Sequence, residues 1–113
     1  MKNVKTRVKR ILRDINLDQE VIDYYVNMIK YCNKKEIHVL DINLTRDMYP
    51  MLSEIYDLTP ESIEKKMLTA LKRSYKETDN LVYYNTLGYS KKISIKKLLI
   101  VLILKLQDED ERA

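Results

Sequence analysis

The chain has 113 residues, enough for one domain with a single core, and 45% of them are hydrophobic. One glycine and two prolines leave few places to turn sharply, which favours helices over sheet. The formal charge of +4 permits an anionic partner without requiring one, and the lone Cys32 excludes an internal disulfide and suits a reducing, cytoplasmic setting.

The charge is unevenly placed. Lys2, Lys5, Arg7, Lys9, Arg10 and Arg13 crowd the first 13 residues without a single acid, whereas residues 109–111 are acidic. Residues 4–15 read as a first helix, with Val4, Val8, Ile11, Leu12 and Ile15 as its apolar stripe. Its bases are read mainly as a solvated face, one or two of them placed to touch a phosphate. Asp18 can cap a second helix that runs to about Asn33, with Val21, Ile22, Tyr25, Met28, Ile29 and Cys32 inward. Residues 36–42 fit a short strand or a helical turn, and helix is expected because no neighbouring segment offers a pairing strand. His38, the only histidine, is an ordinary partly exposed side chain on this reading.

The most informative stretch is 49–76. A first segment opens near Asn43 or Thr45 and turns Leu44, Met48, Leu52 and Ile55 inward, with Pro50 marking a kink or the start of regular helix near Tyr49. A short connection, Asp57-Leu58-Thr59-Pro60, leads to a second helix. Thr59 supplies the cap, and Pro60 takes the first helical position, where its missing N–H costs nothing. Ile63, Met67, Ala70, Leu71 and Ser74 recur at the spacing of one helix face. Ser53, Leu58 and Ile63 match the spacing of a helix-turn-helix unit.

Helical steps put Glu61, Ser62, Lys65, Thr69, Lys72, Arg73 and Lys76 opposite the core, with Glu64, Lys66 and Leu68 on the flanks. This wall is polar, net positive and long enough to enter a major groove. Ser62, Glu64, Lys65, Lys66, Thr69, Lys72 and Arg73 are therefore the candidate DNA-binding residues. A plain solvated helix face would carry the same charges.

Thr78-Asp79 caps a short helix at 80–87 that ends on Gly88. Tyr83, Tyr84 and Tyr89 gather there, either to stack on bases or to pack beneath the connection. Ser94 caps a last helix to about Asp108, apolar nearly all round, which either plugs the core or forms a dimer contact; residues 108–113 are expected to fray. Its seven-residue apolar run at 98–104 falls well short of the roughly 20 needed to span a membrane, so no membrane partner is expected.

No glycine-rich phosphate loop, nucleophile–histidine–acid set or metal-ligand spacing occurs. The expectation is a non-enzyme with no cofactor and no metal.

The chain resembles the C-terminal effector domain of stage-zero sporulation protein A, the sporulation response regulator family of spore-forming Firmicutes. The likeness runs from about Val8 to Leu106. It is carried by residues 11–17, Tyr24, MYPMLSEIY at 48–56, TPESIEK at 59–65, Ala70, LGY at 87–89 and the apolar ending. It implies an all-α, compact six-helix domain containing a helix-turn-helix that enters the major groove. It also implies tandem copies paired on DNA and contact with RNA polymerase through its sigma subunit. Glu64 and Lys65 fit the family's recognition helix. Ser62 and Leu68 stand where the family has arginine, Thr69 where it has histidine and Asp23 where it has glycine. Arginine grips guanine through two hydrogen bonds, each pair worth roughly 1–3 kcal/mol of discrimination, so base readout is expected to be relaxed or redirected. The family's phospho-receiver is missing from this sequence, which is either an excised fragment or a free-standing protein; a free-standing chain is expected to have no phosphorylation switch in cis and to be controlled by its level or by a partner.

Two functions are consistent with these features. One is a DNA-binding transcriptional regulator. The other is a paralogue that kept the fold, lost base readout and modulates a related regulator or the polymerase by protein contact, as half-exposed Leu68 and the apolar last helix invite.

Overall fold

The computed structural model describes all 113 residues. It contains six α-helices: α1 Val4–Leu12, α2 Gln19–Lys35, α3 Tyr49–Tyr56, α4 Pro60–Glu77, α5 Asn80–Leu87 and α6 Ile95–Arg112. Short 3-10 turns occupy Arg13–Ile15 and Val39–Asp41, and a π-helical turn, Leu44–Met48, leads into α3. No strand forms, as expected of an all-α domain, and the molecule measures 36 × 35 × 23 Å. No helix is long and apolar enough to cross a membrane.

Alternation of apolar and polar residues at helical spacing sets the packing. The inner face of α2 is buried along its length, at Val21, Ile22, Tyr24, Tyr25, Met28, Ile29 and Cys32. Helix α2 packs against α1, α3, α4 and α6, so it forms the central post of the fold. Leu98, Leu99, Leu102, Ile103 and Leu106 of α6 complete the core. Tyr25 Oη donates to the Ile95 carbonyl at 3.0 Å and pins the start of α6 to α2. Burial pushes the Cys32 thiol up to about 11, with the charge of Asp47 adding to the effect.

Four non-glycine residues adopt the left-handed region: Asn3 ahead of α1, and Asn16, Glu36 and Asp57 in connections. Gly88 is the fifth such residue, at the end of α5, where its amide donates to the Tyr84 carbonyl at 2.7 Å.

Three expectations need correction. The acidic tail does not fray: α6 continues to Arg112 because Arg7 and Arg10 hold it against α1. Arg7 pairs with Glu109 at 3.0 Å and Asp110 at 2.9 Å and donates to the Leu106 carbonyl, while Arg10 reaches Glu109 at 2.7 Å. These two bases of the first helix are thus committed within the protein. Ile55 does not face the core; it is 54% exposed. The buried side of the helix runs through Met48, Tyr49 and Leu52, and Ile55 lies about 60° round from Leu52, on the side away from Tyr49. Residues 36–42 yield only the 3-10 turn Val39–Asp41, capped by His38 Nδ1, which accepts from the Leu40 amide.

Candidate nucleic-acid interface

The segment 49–76 forms two helices joined by a three-residue turn. Pro50 lies at the start of α3, where it removes no needed donor. Asp57 ends α3 in the left-handed conformation, and Ser53 Oγ donates to the Leu58 carbonyl across the turn. Thr59 Oγ1 accepts from the Ser62 amide at 3.1 Å and satisfies one of the free donors at the start of α4. Beyond it Ile63, Met67, Ala70, Leu71 and Ser74 are all buried, as the spacing predicts. Ser74 Oγ donates to the Ile15 carbonyl and fastens α4 to the turn after α1.

With that side clamped, the other candidates point outward. Glu64, Lys65, Lys66, Thr69, Lys72 and Arg73 are exposed, and Ser62 is half-buried beside the cap. They divide into two groups. Lys65 and Lys72 pair with no carboxylate of the chain, whereas Lys66 Nζ lies 3.0 Å from Glu20 Oε1 and Arg73 Nη1 lies 3.1 Å from Asp18 Oδ1. Lys66 and Arg73 are therefore held against the start of α2 rather than presented freely. Glu20 also accepts from Tyr24 Oη at 2.8 Å. The hydrogen bond from Lys66, and then that from Tyr24, hold its carboxyl below the usual glutamate value. Burial and the neighbouring Glu20 push the Tyr24 phenol well up.

Asp18, Glu20, Lys65, Lys66, Thr69 and Arg73 line one cleft of ≈ 310 Å³ on this side of α4. The opposite side borders an apolar groove of ≈ 340 Å³ walled by Leu44, Tyr49, Leu68, Leu71, Ile93 and Ile95. Leu68 is 47% exposed at its edge. Burial, reinforced by the charge of Glu64, pushes Tyr49 up to about 12.

A basic cluster that sequence reading passed over flanks this groove. Lys92 and Lys96 line it, Lys91 and Lys97 adjoin them, and none of the four has a carboxylate partner. Its signal was present as the four lysines around Ile93-Ser94-Ile95, but only the fold sets them beside α4. Tyr83 accepts from the Ile93 amide at 3.0 Å and fixes the loop that carries them. Of the three tyrosines, Tyr83 is buried under the connection, Tyr84 is exposed and Tyr89 is half-buried beneath the Lys97 ammonium, 5.5 Å from its ring centre.

No group of three or more His, Cys, Asp or Glu side chains is arranged to hold a metal ion. Scans against protein-family models, curated proteins and solved structures find no match to the chain.

Proposed function

We propose that this chain is a helix-turn-helix regulator that lays the outer face of α4 into the major groove of duplex DNA. The observation that carries the reading is the division of α4: one side is locked into the core by Ile63, Met67 and Leu71, and the other offers unpaired Lys65 and Lys72 around Thr69. Lys65 and Lys72 meet phosphates, with Lys92 and Lys96 as a second line of contact beyond the groove. Ser62, Glu64 and Thr69 read base edges. None of them forks to guanine as arginine does, so affinity comes mostly from phosphate. The resemblance to sporulation effector domains extends the reading to copies paired on DNA, to RNA polymerase and its sigma subunit as partner, and to action in the cytoplasm.

The test is a fluorescence-polarisation titration on AT-rich and family-type duplexes at several salt concentrations. Four phosphate contacts give a log–log salt slope of about −3.6, and Lys65→Gln with Lys72→Gln flattens it by about 1.8. Absence of binding to every duplex at low salt refutes the reading.

One observation favours a protein-interaction modulator instead. Leu68 lies exposed at the mouth of an apolar groove, while two of the α4 cations are already neutralised by Asp18 and Glu20. On that reading Leu68→Glu abolishes capture of a related regulator, and the Lys65 and Lys72 substitutions leave capture unchanged.

A further inference from the structure

We propose that Asp18 and Glu20 are built-in counterions that withhold Lys66 and Arg73 from general phosphate contact and so restrain sequence-independent binding. The inference rests on the reading of α4 as the duplex-binding helix. It starts from an oddity at the beginning of α2. Asp18 occupies the cap position, yet its carboxylate accepts no hydrogen bond from the first turn of its own helix. It turns instead to Arg73, whose Nη1 lies 3.1 Å and 3.4 Å from its two oxygens.

Two residues on, Glu20 is held in place from the other direction. The phenol of Tyr24, a ring wholly inside the core and edge-on to Tyr56 at 4.8 Å, donates to the oxygen that receives Lys66. The carboxylate is therefore a fixed feature of the surface and not a mobile side chain that met a lysine by chance. Asp18, Glu20, Lys65, Lys66 and Arg73 share one cleft, so three positive charges of α4 face two fixed negative ones there.

The consequence for an approaching duplex is specific. A free lysine that neutralises a phosphate releases a condensed counterion, and this release drives non-specific binding. Lys66 or Arg73 must first abandon its carboxylate. The broken ion pair, and the repulsion between the bared carboxylate and the phosphates, offset the gain. The pairs thus hold down the part of the affinity that every sequence shares, while Thr69, in the same cleft, remains free to respond to the sequence.

The experiment compares wild type with Asp18→Asn/Glu20→Gln on a selected duplex and on a random one, each across a salt series. Both changes are isosteric: Asp18 makes no capping hydrogen bond to lose, and glutamine still accepts from Tyr24. Exposed ion pairs are each worth up to roughly fivefold in an equilibrium constant, so random-duplex binding tightens by up to about 25-fold. Its salt slope steepens by about 1.8, and the preference for the selected duplex narrows. Adding Lys66→Gln/Arg73→Gln to the same variant removes the gain. Should the double variant melt below the assay temperature, Glu20→Gln alone carries the test, with up to about fivefold expected. A wild type that binds while the variant binds no tighter overturns this inference and leaves the proposed function standing. Failure of both proteins to bind any duplex at low salt overturns both. Binding by the variant alone supports complete masking.

Discussion

Ser74 and Thr78 lie one turn apart at the end of α4, both buried, and they differ in one respect. Ser74 Oγ donates to the Ile15 carbonyl, whereas Thr78 Oγ1 has no partner. Substituting each therefore has opposite consequences. Ser74→Ala removes the bond and leaves a buried carbonyl without its donor, at a cost of about 1–3 kcal/mol. For 113 residues the unfolding entropy is about 0.24 kcal/mol/K, so each 1 kcal/mol moves the melting temperature by about 4 °C. Ser74→Ala thus lowers Tm by about 4–12 °C. Thr78→Val exchanges an unpaired hydroxyl for a methyl at a residue whose extended backbone suits a β-branched side chain. Its amide bond to the Ser74 carbonyl, 3.0 Å, is untouched. Tm stays constant or rises by up to about 4 °C. Circular dichroism melts at 222 nm, checked for a single transition, measure both. The reasoning fails if Ser74→Ala melts with wild type, or if Thr78→Val loses as much as Ser74→Ala.

Three further outcomes rest on named contacts. The Glu20 carboxyl is held below its ordinary value, first by Lys66 and then by Tyr24, so its contribution is present above the unfolded-state pKa and disappears as pH falls through the folded one. Melts between about pH 5 and pH 3 should show a shallower decline for Glu20→Gln than for wild type, and parallel curves would contradict the assignment. Tyr83→Phe strands the buried Ile93 amide; stability drops by about 1–3 kcal/mol, and hydrogen exchange at Ile93 quickens more than at Leu102, a contrast NMR can read residue by residue. Deleting residues 109–113 removes the acids that hold Arg7 and Arg10, which should lower Tm in low salt and less so in 1 M salt. An unchanged Tm on deletion would mean that the tail is not docked against α1 in solution.

Much of the architecture was legible because it is local. The inward stripe of α4 follows from a 3.6-residue repeat between a Thr-Pro start and a Thr-Asp stop, and all five of its residues are buried. Ile55 stands off the core because the buried stripe centres on Met48, Tyr49 and Leu52, and apolar character alone does not say which margin of a stripe is covered. The outward position of the candidate site was readable for the same local reason. What was not readable is which of its charges are free. Lys66 meets a carboxylate 46 positions away and Arg73 one 55 positions away, and no periodicity within a helix encodes such encounters. The tail poses the same problem. Its acids looked like a solvated end until the fold set Arg7, 102 residues earlier, beside them.

The chemistry of Cys32 has a practical corollary. With burial pushing the thiol up, Cys32 stays protonated at neutral pH, and its side chain is buried in the core. Maleimide and iodoacetamide reagents will pass it by in the folded state. A single cysteine introduced on the outer wall of α4 can therefore be tagged with a fluorophore or spin label against a silent background, without first deleting the native one.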